Sequence, residues 1–391
     1  MGDDARGEGA GAQTAERILA LLDGHTDRQD ERAILELLRA TPGGDLDAVL
    51  RDVGMERLLG DVDDRLIGPR HASELLVLLA RERLADLSTA TRAELVLALQ
   101  RGRTGSRAER AIVDVLVGTR GAELAELKAH IDASGDHHDL HQLLFHDIDD
   151  PALRAEALAH FAAEAGAMPA GPPCVLSDID DTLYANWKDA RYPKGTVYPG
   201  VLAFYRALGG ALCFVTARPG DRAGVVEGHT LRMLRGRGVA ATVLCGSFGH
   251  IVGNDRIAQR KYDNFREYQQ VYPERRFVFV GDSGQGDVAF GEMLLADPSG
   301  TVTAVFIHDV VDTPAERRAE LAGRGVHLFD TYAGAALAAH FLGVIDEVAL
   351  AAVLSTTQGE LLALATLDAA LRQARQRDID RDAEAITTRR R

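Results

Sequence analysis

Two aspartates, Asp178 and Asp180, follow a short apolar run near the middle of the chain. The run, Cys174–Ser177, is typical of a buried β-strand, and residues two apart in a strand share a face. Both carboxylates are therefore expected side by side where the strand ends. Two like charges that close call for a cation, a shared proton or a reacting phosphate, so the pair is the first candidate for chemistry.

Other polar residues are expected at or near the ends of further strands. Thr216 follows an apolar run and precedes Arg218, where a hydroxyl and helix-starting amides suit a phosphoryl oxygen. Asp282 and Asp287 lie in a glycine-rich loop that could hold a hard cation. Lys261 is one of four lysines among 44 basic residues. Each group alone also fits a helix cap, a turn or a solvated charge, but their order along the chain indicates one site.

The spacing of apolar residues changes twice along the chain, which predicts several structural regions. Residues 16–168 have helical spacing of apolar residues and are expected to form an all-α domain. Residues 171–340 alternate short apolar runs with helical stretches, which predicts an α/β domain with a parallel sheet. We expect residues 1–15 to be a disordered N-terminus and residues 341–391 to be a helical C-terminal tail.

The predicted helical domain contains an internal repeat. Residues 31–34, Glu-Arg-Ala-Ile, recur 78 positions later as residues 109–112, which indicates two copies of a helical unit. Each copy ends in an acidic segment, at residues 58–64 and 143–150. Neither segment has a preceding β-type run, so we interpret both as helix ends or caps and not as metal loops.

The charge of the chain limits its partners. The formal net charge is 44 − 59 = −15, which disfavours a general affinity for nucleic acid, although Arg232, Arg235 and Arg237 form a local basic cluster. Residues 171–313 carry 15 basic and 16 acidic side chains, so this region could approach an anionic substrate. Three cysteines without paired spacing and an N-terminus without an apolar signal predict a cytoplasmic protein.

The acid pair, hydroxyl, lysine and acidic loop together resemble the motifs of the haloacid dehalogenase (HAD) superfamily of phosphotransferases. The matching residues are, in motif order, Asp178 with Asp180 and Thr182, then Thr216, then Lys261, then Asp282 with Asp287. The longer context over residues 171–313 resembles the phosphatidate phosphatase catalytic domain of the actin patch protein type. This resemblance implies a HAD-like α/β sheet without a large cap domain.

The resemblance also implies a mechanism and a cofactor. Asp178 would attack phosphorus to form an aspartyl-phosphate, and Asp180 would act as general acid and then general base. Mg²⁺ would be held by Asp178, the Asp180 carbonyl and Asp282, with Asp287 ordering the outer shell. Thr216 and Lys261 would balance charge on the phosphoryl oxygens, and Thr182 and Arg218 would contact the substrate.

Only a flap, residues 183–199, follows the first motif, so we expect an open site for a bulky or surface-bound phosphomonoester. Its aromatic residues either contact substrate or pack the flap down: Tyr184, Trp187, Tyr192 and Tyr198. The favoured substrate is phosphatidate at a membrane surface, reached by peripheral contact. The alternatives are a phosphatase for nucleic-acid ends, phosphoproteins or soluble metabolites, a non-catalytic phospholipid-binding protein, and a scaffold whose helical domain recruits a protein partner.

Overall fold

The computed structural model describes residues 4–24, 26–61, 71–101, 104–133, 139–219, 236, 241–246 and 253–389. The chain divides into two compact units. The helical unit comprises Met1–Pro169 with Gln270–Glu274, and the α/β unit comprises Ala170–Gln269 with Arg275–Arg391.

The described part of the helical unit consists mainly of α-helices. In chain order the helices are α1 Asp4–Leu21, α2 Arg28–Ala40, α3 Gly43–Val53, α4 Met55–Asp61, α5 His71–Val77, α6 Thr89–Gln100, α7 Ser106–Gly118, α8 Gly121–Asp132, α9 Leu140–Gln142 and α10 Pro151–Glu164. Two π-helical turns, Leu78–Glu82 and Leu143–Asp147, and two 3₁₀ turns, Leu84–Asp86 and Ala165–Ala167, lie between or after them.

The repeated segments lie on two helices of equal length. Helices α2 and α7 both span 13 residues and begin at residues 28 and 106, and α1 packs on α3 as α6 packs on α8. Glu31 of α2 is buried and lies 2.8 Å from His71 Nδ1, while Glu109 of α7 is buried and accepts from the Asp150 backbone N–H at 3.2 Å. Both repeated segments therefore place a buried glutamate on a 13-residue helix.

Helix α1 differs from the disorder that we expected over residues 1–15. The helix begins at Asp4, and its residues Ala15 and Ile18 are buried where α1 packs on α3. Alanine has the highest helix propensity, and tertiary packing of an apolar face is the main source of helix stability in proteins. Both effects outweigh the flexibility that the glycines suggested.

The acidic segments of the two copies lie at helix ends. In the second copy, Asp150 is the N-cap of α10 and accepts from the Ala152 backbone N–H at 2.8 Å. Asp147 accepts from the side-chain amide of Gln100 at 2.7 Å. In the first copy α4 ends at Asp61, and residues 62–64 lie outside the described part of the chain.

The α/β unit is organised around a six-stranded parallel sheet of order β3-β2-β1-β4-β5-β6. The strands are β1 Cys174–Ser177, β2 Leu212–Pro219, β3 Ala241–Gly246, β4 Phe277–Asp282, β5 Val302–His308 and β6 Val326–Phe329. Strand β1 lies between β2 and β4, where the strand order reverses, and such switch points are the usual ligand sites of open α/β sheets. The predicted α/β class with an all-α region before it is confirmed.

Described helices of the α/β unit are α11 Val201–Leu208, α12 Asn254–Val271, α13 Asp287–Leu295, α14 Ala315–Gly323, α15 Tyr332–Phe341, α16 Glu347–Ala363 and α17 Ala369–Arg389. The last two form part of this unit and pack on α15 and on each other. Leu361, Leu367 and Ile379 are buried together with Ala333, and the Gly200 backbone N–H donates to Glu360 Oε2 at 2.8 Å. The region that the sequence suggested as a tail thus contributes its own core cluster.

Two of the cysteines, Cys174 and Cys213, are buried thiols in adjacent strands and form no disulfide. The side chain of Cys245 lies outside the described part. Among the described helices, none combines the length and the apolar character that crossing a bilayer requires.

Candidate active site

The ends of β1 and β4 bring two of the predicted aspartates together. Ser177, the last residue of β1, is in register with Val280 of β4, and the Asp178 backbone N–H donates to the Val280 carbonyl at 3.0 Å. Asp282 is the last residue of β4. Because parallel neighbours end at the same edge of a sheet, Asp178 and Asp282 project from adjacent strands.

A third carboxylate completes a buried acidic cluster. One oxygen from each of Asp178, Asp282 and Asp287 lies within 4.8 Å of the others, and all three residues are buried. Asp287 begins α13, and Gly286 before it has a φ of 84°. A Cβ at Gly286 would lie 2.6 Å from the Asn254 carbonyl oxygen, so the turn that places Asp287 beside Asp282 requires glycine.

Lys261 provides the positive charge of this cluster. Its Nζ donates to Asp178 Oδ1 and to Asp287 Oδ1, both at 2.6 Å, and the side chain is 3% exposed. Burial opposes the charged ammonium, but the carboxylates of Asp178 and Asp287 outweigh it and raise the pKa of Lys261. The lysine is therefore charged and bound to both aspartates.

Among the described side chains, one ammonium, that of Lys261, lies beside three clustered carboxylates. Burial raises the pKa of Asp282 well above its usual value, and the charges of Asp287 and Asp178 raise it further. Asp282 Oδ2 is buried and has no hydrogen-bond partner among the described residues. An all-oxygen donor set with excess negative charge and an unsatisfied carboxylate oxygen fits a hard divalent cation such as Mg²⁺.

Asp180 contacts the flap. Its carboxylate is buried, and the Asn186 side-chain amide donates to Asp180 Oδ1 at 2.6 Å. Sequence reasoning did not identify Asn186. The signal available was only a polar residue in a loop rich in aromatic residues, which does not reveal the contact.

Asp181 anchors the flap, and it too was not identified from the sequence. Its φ is 55°, and its carboxylate accepts from the backbone N–H groups of Asn186 at 2.7 Å and Lys188 at 2.7 Å, and from that of Trp187 at 3.0 and 3.1 Å. Both carboxylate oxygens are used. The loop after the first motif is therefore fixed to the residue that follows Asp180.

His308, at the end of β5, contacts the same segment. Arg191 Nη2 donates to His308 Nε2 at 3.2 Å, so Nδ1 carries the proton and donates to the Asp181 carbonyl at 2.9 Å. Burial, followed by the charge of Arg191, lowers the pKa of His308 to about 4. A neutral imidazole thus joins β5 to the flap.

The flap aromatics divide into two groups. Tyr198 is buried in the core of the unit, and Tyr184 and Tyr192 pack against that core. Tyr198 also donates to Asp189 Oδ2 at 3.0 Å. Trp187, in contrast, is 63% exposed. Packing on the core therefore accounts for the three tyrosines, whereas most of Trp187 is exposed.

The structure describes the remaining predicted site residues only in part. Thr182 is fully buried, its Oγ1 has no hydrogen-bond partner among the described residues, and its carbonyl accepts from Tyr332 Oη at 2.6 Å. The backbones of Thr216 and Arg218 lie in the last part of β2. The side chains of both lie outside the described residues.

Comparison with known families gives a match to part of the chain. Residues 233–309 match the family described as the phosphatidate phosphatase APP1 catalytic domain. This segment includes Lys261, Asp282 and Asp287, whereas Asp178 and Asp180 precede it. No curated protein and no solved structure matches the chain. The predicted resemblance is confirmed over this segment, which is similar to the phosphatidate phosphatase APP1 catalytic domain, and HAD superfamily membership is consistent with the match.

Proposed function

We propose that this protein is a Mg²⁺-dependent phosphomonoester hydrolase that acts through an aspartyl-phosphate, with phosphatidate as its substrate. The observation that supports the proposal most directly is the contact of Lys261 with both Asp178 and Asp287 beside the unsatisfied carboxylate of Asp282. This arrangement combines a carboxylate nucleophile, a fixed cation and cation ligands at one edge of the sheet.

The acidic cluster would hold the metal. Asp178 and Asp282 are the proposed direct ligands with the Asp180 carbonyl, and Asp287 orders the outer shell through Lys261 and the Asp282 backbone N–H, which donates to it at 3.2 Å. When bound, Mg²⁺ supplies the positive charge that lets an anionic carboxylate approach an anionic phosphate ester.

Asp178 and Asp180 would divide the chemistry between them. An oxygen of Asp178 attacks phosphorus, the bond from phosphorus to the ester oxygen breaks, and Asp180 gives its proton to the leaving alkoxide. Asp180 then takes a proton from water as the water oxygen attacks phosphorus. The bond from phosphorus to Asp178 breaks, which releases phosphate and restores both carboxyl groups.

The negative charge of the phosphoryl group that is transferred must be neutralised by further side chains. Lys261 would neutralise the equatorial oxygens together with the Thr216 hydroxyl, and Arg218 and Thr182 are proposed to contact the substrate. The open flap, without a cap domain among the described residues, suits an ester at a lipid surface. We propose a cytoplasmic protein that contacts the membrane peripherally.

A phosphate-release panel with Mg²⁺ tests this function. The substrates are phosphatidate vesicles, a phosphorylated oligonucleotide, a phosphopeptide and a small phosphate ester. We expect release from phosphatidate, and a decrease of at least about a thousandfold in Asp178→Asn because the nucleophile is lost. Asp263→Asn, an exposed acid on the same helix as Lys261, is the matched control and should retain activity.

The panel also separates the alternatives. Selective release of phosphate from the oligonucleotide, the phosphopeptide or the small ester would identify that compound class as the substrate in place of phosphatidate. The proposal of a phosphomonoester hydrolase would be retained. Vesicle binding with no release from any substrate would indicate a phospholipid-binding protein. The presence of Asp180, the acid and base of the proposed cycle, favours catalysis over that alternative.

A further inference from the structure

We infer that the tip of the flap binds the surface of an anionic lipid bilayer. The flap tip comprises Trp187, Lys188 and Lys194. The inference deepens the proposed function and rests on it, because it names the lipid surface as the partner of the proposed active site. Three observations carry it: an exposed aromatic residue, an excess of positive charge, and a rigid connection to the catalytic residues.

The first observation is the exposure of Trp187. It is the single tryptophan of the chain, and 63% of its surface is exposed, whereas the tyrosines of the same flap pack on the core. Single exposed apolar residues are common on proteins, so exposure alone decides little. Tryptophan, however, is the residue that favours the boundary between lipid and water, and this one lies on a loop beside the site.

The second observation is the charge around this tryptophan. The exposed charged residues of the flap, residues 183–199, are Lys188 and Lys194, and its single acid, Asp189, is buried and paired with Arg191. Lys194 Nζ lies 4.8 Å from the centre of the Trp187 ring. In a chain with net charge −15, an exposed loop with two lysines and no exposed carboxylate is complementary to anionic lipid.

The third observation is the attachment of the flap tip to the catalytic segment. The backbone N–H groups of Trp187 and Lys188 donate to the Asp181 carboxylate, and the neighbouring Asn186 donates to Asp180. A flap tip held in lipid therefore fixes the position of Asp180 relative to the bilayer. Binding through this loop would present the open site to a headgroup that remains in the membrane.

The sole tryptophan makes the test specific, because its fluorescence reports on position 187 alone. The full chain with Asp178→Asn, which prevents turnover, is titrated with phosphatidylcholine vesicles containing phosphatidylserine, an anionic lipid that is not a phosphomonoester. We expect a blue shift of the emission and quenching by brominated lipid, both weakened by salt. Pure phosphatidylcholine vesicles should give neither effect.

Variants locate the surface. Vesicle pelleting should weaken about fivefold for each of Lys188→Gln and Lys194→Gln, and also for Trp187→Ala. Val348→Ala, which shortens an apolar side chain that is 78% exposed on α16, is the matched control and should pellet as the parent does. Melting temperatures equal to that of the parent show that each variant is folded.

The outcomes distinguish this inference from the proposed function. If the emission does not change with anionic vesicles at saturating lipid while the wild-type chain releases phosphate, the flap tip is not a lipid-binding surface and the hydrolase stands. If the emission shifts but no phosphomonoester is hydrolysed, lipid binding by the flap tip is supported and the proposed hydrolase activity is rejected. Pelleting that is unaffected by all three flap-tip variants would also overturn the inference.

Discussion

Asn186 contacts the proposed general acid and base, and no pattern in the sequence indicates this contact. Its side-chain amide lies 2.6 Å from Asp180 Oδ1, so it orients the carboxylate that the proposed cycle uses twice. Asn186 is therefore a positioning residue, because it acts on the reaction through Asp180.

Replacing Asn186 tests this role. We expect Asn186→Ala to lower kcat by about tenfold with little change in KM, because proton transfer depends on the orientation of Asp180 while substrate binding does not. Steady-state kinetics on phosphatidate measures both constants. Ala190→Ser, at an exposed flap position, is the control. An increase in KM with unchanged kcat would assign Asn186 to substrate binding.

His308 makes the stability of the α/β unit depend on pH. Its pKa is about 4 in the fold and about 6.5 in the unfolded chain, so the unfolded chain binds the extra proton. Its contribution to stability is complete above about pH 6.5 and is lost as the pH falls toward 4. The difference corresponds to about 3 kcal/mol.

Denaturant unfolding at several pH values between 4 and 7 measures this effect. In His308→Asn the free energy of unfolding should be lower at pH 7 but should fall less steeply on acidification, because the titrating group is gone. A variant whose stability falls as steeply as that of the wild type would contradict the assignment.

The strands and helices of the α/β unit determine where the acidic cluster forms. Two parallel strands end side by side and deliver Asp178 and Asp282, and α13 begins with Asp287. Helix α12 carries Lys261 across to them. The C-terminal helices α16 and α17 contribute the cluster of Leu361, Leu367 and Ile379 with Ala333, and Tyr192 of the flap packs against this cluster.

The contribution of α17 can be measured at one position. Ile379 is 1% exposed, so Ile379→Ala should reduce the free energy of unfolding by about 2–5 kcal/mol through the lost apolar contacts and the cavity. Leu362→Ala, at a position that is 65% exposed on α16, should change it by less than about 0.5 kcal/mol. Equal effects of the two variants in urea unfolding would mean that α17 does not stabilise the unit.

At the scale of the whole molecule, Mg²⁺ should stabilise one unit selectively. Calorimetry should show that saturating Mg²⁺ raises the melting temperature of the α/β unit and not that of the helical unit. A free Mg²⁺ concentration of about 100 times the dissociation constant should raise the free energy of unfolding by about 2.7 kcal/mol. In Asp282→Asn the shift should disappear. Without metal this variant should be at least as stable as the wild type, because one of three clustered negative charges is removed.

Asp263→Asn is again the control and should keep the full shift with Mg²⁺. A metal-dependent shift that persists in Asp282→Asn would show that the cation binds elsewhere. The readout is thermal stability, so this result does not depend on finding the substrate.

The sequence was sufficient for the features that depend on local patterns. Short apolar runs predicted the strands, and the order of polar residues after them predicted that Asp178, Lys261, Asp282 and Asp287 would meet. Contacts between distant positions left no such pattern: His308 and Asp181 are 127 residues apart. The packing of α1 was also missed, because glycine content suggests flexibility and does not reveal a neighbouring helix.

The left-handed backbone of Asp181 limits which residues position 181 can accept. Glycine would adopt the φ of 55° but would leave the flap amides without an acceptor. Asparagine tolerates the same angle but offers one acceptor oxygen where the carboxylate uses two. Aspartate alone meets both demands. Natural substitutions at position 181 should therefore occur only together with changes in the sequence of the flap, so that residue 181 and the loop evolve together.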